Sequence, residues 1–271
     1  MCEDYVLVAP MIIEQTGKEE IVQDQQLPAP AVCLQGRIAV VTGASSGIGR
    51  AIAIGLSRKG AHLCAVGRNR SALAETVKVA EQYSHASAFQ LDLTVEEELQ
   101  RLVEHLEKAG KLDVLIHCAG VMYPSLTERA RVEDLDLQYA INVRAPYLLS
   151  QRLLPLLTAA RGQIVFTNSS VGLTAKQADL GQYSATKHAL KAIADSLREE
   201  LNPKGIRVIS VYLGRTATPL QEARFREEGK SYRPELLLQP EDVASVVVQM
   251  LMLPSTAEVT DISMRPMQKA Y

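Results

Sequence analysis

Arg37-Ile38-Ala39-Val40-Val41-Thr42-Gly43-Ala44-Ser45-Ser46-Gly47-Ile48-Gly49 decides the fold of this 271-residue chain. Its first half is a short apolar run with several β-branched residues, which is typical of a buried parallel strand. A turn with three glycines follows, and apolar residues from 51 to 56 then continue as a helix. Strand, glycine-rich turn and helix form the unit that binds a dinucleotide pyrophosphate, because the helix start presents free N–H groups to the anion. In that unit Gly43 permits the tight turn, Gly47 lets the backbone approach phosphate, and Gly49 allows close helix–strand packing.

A second informative stretch is Tyr183-Ser184-Ala185-Thr186-Lys187, at the start of a run with helical periodicity. Apolar residues recur there at spacings of three and four, at Leu190, Ile193, Ala194, Leu197 and Leu201. Residues four apart share one helix face, so the phenol of Tyr183 and the ammonium of Lys187 can point at one spot. A nearby cation favours the phenolate, and lowering a tyrosine pKa from ~10 to ~7 takes about 4 kcal/mol. The pair indicates an acid–base tyrosine, although this spacing alone also occurs by chance.

Together these motifs resemble the short-chain dehydrogenase/reductase family, over roughly residues 36 to 266. The family glycine pattern T-G-x-x-x-G-x-G is matched by Thr42, Gly43, Gly47 and Gly49. The family's catalytic set is Asn, Ser, Tyr and Lys, which the resemblance assigns to Asn142, Ser170, Tyr183 and Lys187. Ser170 is preferred to its neighbour Ser169 because the family serine lies about thirteen residues before the tyrosine.

The resemblance implies hydride transfer between a nicotinamide and a carbonyl or alcohol carbon. Tyr183 would be the general acid in reduction and the base in oxidation, while Lys187 would lower its pKa and bond the nicotinamide ribose. Ser170 would hold the substrate oxygen, and Asn142 would hold a water in a proton relay. Taken singly, Ser170 could instead be a strand-end hydroxyl, and Asn142 a buried hydrogen-bonding amide.

Cofactor choice is indicated by Gly67-Arg68-Asn69-Arg70, which follows the second expected strand. An NAD enzyme usually has an acidic residue about twenty residues beyond the glycines, where it bonds the ribose 2′-hydroxyl. No Asp or Glu occurs in this region before Glu75. Arg68 is present instead, and a planar guanidinium suits a 2′-phosphate. The sequence therefore favours NADP(H) over NAD(H); the alternative is that these arginines form only a solvated cap on the next helix.

Further cofactor contacts are implied by position in the family pattern. Beside the glycines and Arg68, they are Ser45, Ser46, Ile48, Asn69, Asp92, Leu93, Cys118, Ala119, Gly120, Tyr183, Lys187, Gly214, Thr216 and Thr218. The family motif N-N-A-G appears as His117-Cys118-Ala119-Gly120, a departure that puts local stability in question more than catalysis. His117 is expected to be packed or hydrogen-bonded. Leu213 stands where the family has proline, and the direction of Arg215 stays open.

Strands and helices alternate along the chain, which predicts an α/β fold: one Rossmann-like domain with a doubly wound, seven-stranded parallel sheet and helices on both faces. The strands are expected at about 37–42, 62–66, 87–92, 112–118, 162–168, 205–211 and 259–264. A long helix is expected at about 133–160, kinked or interrupted at Pro155. Another helix begins at Gln239-Pro240-Glu241-Asp242, and a variable loop spans about 219–238. The domain covers residues 36–271 and follows an extension, residues 1–35, which is either a flexible arm or a segment that packs on a neighbouring subunit.

Composition narrows the class of protein. A net charge of −2 indicates no nucleic-acid surface. No apolar run approaches the ~20 residues of a membrane helix, and an acidic start argues against a secretory or mitochondrial signal. The four cysteines have no C-x-x-C spacing, so neither a disulfide framework nor a metal site is implied, and a reducing cytoplasm fits.

The resemblance also bears on substrate and assembly. It implies a small-molecule ketone, aldehyde or secondary alcohol as substrate, and a homodimer or homotetramer formed through the long helices on either side of the serine strand. Two other functions stay open: a non-catalytic NAD(P)-binding sensor or scaffold, and an NAD-dependent alcohol dehydrogenase. The intact catalytic set favours an enzyme, because a sensor needs no poised phenol.

Overall fold

The glycine turn joins the first strand to the first helix, as its sequence predicts. In the computed structural model, which describes residues 33–268, β1 (Ile38–Thr42) runs through the turn into α1 (Gly47–Arg58). β2 (His62–Gly67) then returns parallel to β1. Ala39, Val40 and Val41 of β1 are buried because both faces of the sheet are covered. Residues 1–32 of the expected N-terminal extension lie outside the described part of the chain.

Over residues 33–268, seven parallel strands form one sheet in the order β3-β2-β1-β4-β5-β6-β7. The other strands are β3 (Ala86–Gln90), β4 (Val114–His117), β5 (Gln163–Ser169), β6 (Arg207–Leu213) and β7 (Asp261–Met264). Each strand begins and ends within two residues of its expected bounds. The strand order reverses between β1 and β4, and a sheet of this kind binds its ligand beyond the carboxyl ends of the strands at that point. The predicted Rossmann-like fold is confirmed.

Helices cover both faces of this sheet. They are α2 (Arg70–Ala80), α3 (Glu96–Glu107), α4 (Val132–Tyr139), α5 (Ala145–Ala160), α6 (Gly181–Leu201), α7 (Pro219–Glu227) and α8 (Pro240–Leu251). Consecutive strand residues point to opposite faces, so Val41 packs in the apolar layer with α1 and α8, and Val40 in the layer with α3, α5 and α6. These two buried layers hold the strand ends, and the site beyond them, in place.

The long helix expected at 133–160 is divided, but not at Pro155. Helix α5 continues through Pro155, which is exposed, so the carbonyl group left without its helical partner can bond water. The division is instead a π-helical segment, Ala140–Arg144, between α4 and α5. Such segments are frequent at functional sites, and this one carries Asn142.

The segment 219–238, expected as a loop, contains α7 and a short 3₁₀ turn at Pro234–Leu236. Pro219 occupies the first position of α7, and the Thr218 hydroxyl caps it by accepting a hydrogen bond from the Gln221 N–H. The helix expected after Gln239 is present as α8, with reciprocal capping bonds between Gln239 and Asp242.

Three cysteines of the described part, Cys33, Cys64 and Cys118, are free thiols. Between residues 33 and 268, no group of three or more His, Cys, Asp or Glu side chains is arranged to hold a metal ion. None of the helices in that range has the length and apolar character needed to span a membrane.

Candidate active site

A cavity of about 480 Å³ lies beyond the carboxyl ends of the strands, between the glycine turn and the start of α6. Three residues of the expected catalytic set line it: Ser170, Tyr183 and Lys187. Every expected cofactor contact lines it as well: Gly43, Ser45, Ser46, Gly47, Ile48, Gly49, Arg68, Asn69, Asp92, Leu93, Cys118, Ala119, Gly120, Gly214, Thr216 and Thr218. Asn142 lies behind this wall and is 1% exposed. The fold therefore brings the two groups of predicted residues to one place.

The glycine turn leaves the start of α1 open toward the cavity. Ser46 is the N-cap residue, yet its side chain makes no capping hydrogen bond, so the first N–H groups of α1 are available to an external acceptor. A Cβ on Gly43, which has φ +70°, would lie 2.8 Å from the Ala119 nitrogen. A Cβ on Gly49 would lie 2.3 Å from the Gly43 carbonyl oxygen. The turn can adopt this compact form only with glycine at both positions.

The Thr42 hydroxyl group ties β1 to the end of β4, where the family pattern has asparagine and this chain has Cys118. Its oxygen accepts hydrogen bonds from the backbone nitrogens of Cys118 at 3.1 Å and Ala119 at 3.3 Å. It donates to the Ile116 carbonyl at 3.3 Å. Burial raises the pKa of the Cys118 thiol to about 11, so this side chain stays neutral at pH 7.

His117 is a packed residue beneath the site. Its Nε2 atom lies 2.8 Å from the Ser150 hydroxyl, and its ring stacks on Phe166 with centroids 4.9 Å apart. Burial lowers the pKa of His117 to about 3, so the ring is neutral at physiological pH. The structure agrees with its interpretation as a packed, hydrogen-bonded histidine.

Tyr183 and Lys187 lie one helical turn apart on α6, with the lysine Nζ 5.8 Å from the centre of the phenol ring. Tyr183 lines the cavity and is partly exposed, but its surroundings raise its pKa to about 12. Desolvation is the larger cause, and a hydrogen bond with Ser169 opposes it. The pKa of Lys187 is lowered to about 8, again mainly by burial. The lowering of the Tyr183 pKa expected from Lys187 is therefore not found in the protein alone, where desolvation of the phenol raises that pKa.

The structure brings Ser169, rather than Ser170, to the tyrosine. Ser169 is the last residue of β5, and its hydroxyl hydrogen-bonds the phenol of Tyr183. Ser170 begins the following 3₁₀ turn and is exposed at the edge of the cavity. Spacing favours Ser170 and both serines line the cavity, but Ser169 is the one whose hydroxyl affects the pKa of the Tyr183 phenol.

Asn142 fixes the wall of the site from within. Its Nδ2 atom donates to the Val121 carbonyl at 2.9 Å and to the Thr186 hydroxyl at 3.1 Å, and its Oδ1 atom accepts from the Val121 nitrogen at 2.9 Å. Gly120 lies beside it, since a Cβ there would be 3.3 Å from Asn142 Oδ1 and 3.9 Å from Lys187 Nζ. The amide group therefore joins the segment after β4 to α6, which matches the interpretation as a buried hydrogen-bonding amide.

Arg68 and Asn69 occupy the end of the cavity beyond β2. Arg68 is exposed and lies near Asp92. Burial raises the pKa of the Asp92 carboxyl, but two hydrogen bonds from Thr94 and the charge of Arg68 together hold that pKa below its ordinary value. Asn69 caps α2 by accepting a hydrogen bond from the Ala72 nitrogen at 3.1 Å. Among the described residues of this segment, Arg68 lines the cavity and Arg70 does not.

The cavity is also lined by residues that the sequence did not single out for the site. Among them are Val121, Met122, Gln177, Leu180, Leu220, Gln221 and Arg224. Arg215, whose direction was open, also lines the cavity. Its Nη2 atom is 2.7 Å from Oε1 of Glu228, which follows α7, and its guanidinium lies over the Phe225 ring. Phe225 is buried against Tyr232, so it packs the segment and does not line the cavity. A capping threonine followed by proline at 218–219 was the available sequence signal for α7.

Lys187→Met is expected to change how stability depends on pH. Burial lowers the folded pKa of Lys187 from its ordinary 10.5 to about 8. Below pH 8 both folded and unfolded lysines are charged, and the wild type bears the desolvation cost. As pH rises toward 10.5 the folded lysine loses its proton first, so wild-type stability rises relative to the variant by up to about 3 kcal/mol. Urea unfolding at pH 7, 8.5 and 10 measures this trend.

Lys191→Met is the matched control, because Lys191 is partly exposed on the same helix and its hydrogen bond to Asp195 raises its pKa. The stability of the wild type relative to Lys191→Met should therefore not rise between pH 7 and pH 10. The same trend in both variants would show that burial of Lys187 is not its cause.

The chain matches known oxidoreductases over this whole region. The family described as short chain dehydrogenase matches residues 37–229. An uncharacterized oxidoreductase of Staphylococcus saprophyticus is 34% identical over 238 residues, which cover 86% of this chain and 98% of that protein.

Two solved structures extend the comparison. An alcohol dehydrogenase of the archaeon Thermococcus sibiricus, complexed with 5-hydroxy-NADP, superposes with a TM-score of 0.78 at 26% identity, over 88% of this chain and 100% of that one. An L-sorbose reductase of Gluconobacter frateurii, complexed with NADPH and L-sorbose, gives a TM-score of 0.78 at 25% identity, over 86% and 97%. On the fold, the glycine turn and these matches, this chain belongs to the short-chain dehydrogenase/reductase family of oxidoreductases.

Proposed function

We propose that the protein is an NADP(H)-dependent oxidoreductase that transfers a hydride between a nicotinamide and a carbonyl or secondary-alcohol carbon. The observation that carries this proposal is the continuity of one cavity. It runs from the glycine turn and Arg68 to the set formed by Ser169, Tyr183 and Lys187. The NADP and NADPH complexes of the two structural relatives support the same cofactor class.

The residues present fit a dinucleotide. The uncapped start of α1 offers N–H groups to a pyrophosphate, and the compact turn at Gly43 allows close approach. Arg68 would hold the 2′-phosphate, and the segment from Gly214 to Thr218 would border the nicotinamide end. When bound, the nicotinamide supplies or accepts the hydride.

The protein's part in this chemistry is to position the substrate oxygen and move one proton. Ser169 would hold that oxygen by a hydrogen bond, and Tyr183 would donate its phenolic proton as the carbonyl is reduced. The raised pKa keeps Tyr183 protonated at neutral pH, which suits the reductive direction. Lys187, with a pKa of about 8, is largely charged at pH 7 and would stabilise the phenolate left behind. In oxidation the same phenolate would take the alcohol proton.

NADPH is expected to bind at least about tenfold more tightly than NADH, because a hydrogen-bonded charge pair is worth about 1.5–3 kcal/mol. Titration of the protein with each dinucleotide, followed by nicotinamide fluorescence, measures both affinities. Arg68→Ser should remove most of the preference, since Arg68 lines the cavity. Arg70→Ser is the matched control and should leave the preference intact.

Two other outcomes of the dinucleotide titration would contradict these proposals. Equal or tighter NADH binding would overturn the role of Arg68 and favour an NAD-dependent alcohol dehydrogenase. Failure to bind either dinucleotide would contradict the proposal that the protein is a nicotinamide-dependent oxidoreductase.

We further propose a homodimer or homotetramer, as the family resemblance implies. Tyr139 on α4 and Tyr147 on α5 are about half exposed, at 51% and 46%, and would be covered by an interface along these helices. The free thiols at Cys33, Cys64 and Cys118 fit the reducing cytoplasm that we propose as its location.

A further inference from the structure

Four charged side chains form a connected, largely buried cluster beside the substrate end of the cavity. Arg224 lies at its centre: its Nη2 atom is 2.6 Å from Asp179 Oδ2, and its Nε atom is 2.7 Å from Glu228 Oε1. Arg215 Nη2 lies 2.7 Å from the same glutamate oxygen. The side chains of Arg224, Glu228 and Arg215 are only 8%, 10% and 14% exposed. Charges so deeply buried need these partners to remain in place.

The cluster joins three segments that all border the cavity. Asp179 lies in the 3₁₀ turn Ala178–Leu180, directly before α6 and four residues before Tyr183. Arg215 follows β6, Arg224 lies on α7, and Glu228, four residues later, caps the end of that helix. The ion pair between Asp179 and Arg224 therefore connects α7 to the start of the helix that carries the tyrosine.

Helix α7 is itself part of the cavity wall. Leu220, Gln221 and Arg224 line the cavity, while Phe225 is buried on the other side. With nine residues, α7 is too short to be stable alone, so its tertiary contacts decide where it lies. Its beginning is held by the Thr218 cap, and its second half by the charged cluster.

Glu228 remains a charged partner inside this cluster. Burial would raise its pKa, but hydrogen bonds from Lys230 and Arg215, together with the charges of Arg215 and Arg224, hold the pKa below its ordinary value. The i,i+4 pair Arg224–Glu228 at the end of α7 therefore stays ionised whether or not Asp179 is present. Asp179 is one-third exposed and can lose its charge without leaving a buried ion unpaired.

We propose that the Asp179–Arg224 ion pair positions α7 as the wall of the substrate cavity. Asp179 and Arg224 are then positioning residues for substrate binding, and they act through the placement of Leu220 and Gln221. The inference rests on the proposed function in that it takes this end of the cavity as the substrate site.

Asp179→Asn tests the proposal, because it removes one charge and keeps the shape of the side chain. Hydrogen–deuterium exchange of the peptide covering residues 217–230 should be at least about tenfold faster, with exchange in β1 and α1 unchanged. With an NADPH-reducible carbonyl substrate, KM should rise at least about fivefold, while kcat and the NADPH affinity change less than about twofold. Asp179→Glu, which keeps the charge, should recover part of both effects.

Glu222→Gln is the matched control: it makes the same chemical change on α7, at an exposed pair with Arg226 whose atoms are 3.8 Å apart. Unchanged exchange of residues 217–230 in Asp179→Asn, or acceleration no greater than in Glu222→Gln, would overturn the proposal. The exchange measurement needs no turnover, so it tests the positioning role separately from the proposed activity. Accelerated exchange in a protein that reduces no carbonyl would support the positioning role and refute the proposed reductase. Normal carbonyl reduction with unchanged exchange would support the reductase and refute the positioning role.

Discussion

Tyr183→Phe is expected to lower kcat by about 10³-fold, equivalent to about 4 kcal/mol, with NADPH affinity changed less than about twofold. Phenylalanine keeps the aromatic packing at the start of α6 but has no proton to donate. The lost hydroxyl is the group that hydrogen-bonds Ser169 and lies nearest the proposed position of the substrate oxygen. Initial rates of NADPH oxidation with a carbonyl panel, together with fluorescence titration of NADPH, measure the two quantities.

The neighbouring serines provide a matched pair for the same assay. Ser169→Ala is expected to lower kcat by about 10²-fold, because its hydroxyl would hold the substrate oxygen. Ser170→Ala should remain close to wild type, since Ser170 is exposed in the following turn. Activity that survived Tyr183→Phe would refute the assigned mechanism, and a loss confined to Ser170→Ala would return the role to Ser170. If the wild type binds NADPH but turns over no carbonyl substrate, the alternative function, a non-catalytic NAD(P)-binding sensor, is favoured.

Gly49→Ala is expected to destabilise the protein by about 2 kcal/mol and to weaken NADPH binding at least about tenfold. The added methyl group would lie 2.3 Å from the Gly43 carbonyl oxygen and 2.7 Å from its carbon, so the turn must move. Overpacking of this kind costs about 1–3 kcal/mol or more, against a gain of about 1 kcal/mol from alanine in a helix. Urea unfolding and NADPH titration measure the two losses.

Gly181→Ala is the control for this substitution. Gly181 is the first residue of α6, and among the described residues an added Cβ there meets no heavy atom within 4 Å. Its stability should be unchanged or slightly increased. Equal destabilisation by the two alanines would show that the contact with Gly43 is not the cause.

The sheet and the cofactor side of the site could be predicted because local sequence specifies them. Buried parallel strands are continuous apolar runs, as in β1, and the turn at 43–49 has glycines where no side chain fits. Strand order then places the ends of β1, β2 and β4 side by side. The residues expected to contact the cofactor consequently line one cavity.

What could not be predicted depends on contacts between distant segments. Spacing favoured Ser170, but which serine hydroxyl meets the Tyr183 phenol depends on how the end of β5 faces α6. The raised pKa of Tyr183 comes from desolvation, which only the packed structure defines. Helix α7 has a polar sequence with little amphipathic pattern, and its position is fixed by buried charges whose partner Asp179 lies 45 residues away from Arg224.

The π-helical segment Ala140–Arg144 sets how α4 is oriented relative to α5. Each α-helical residue advances the helix by about 100° and each π-helical residue by less, so the same five residues in regular α-helical geometry would rotate α4 by roughly 90° relative to α5. Gln138, buried on α4, would then swing away from the Tyr123 nitrogen and the Gln182 side chain that it bonds. The wide turn of this segment therefore lets Gln138 on α4 and Asn142 within the segment each face their own partners.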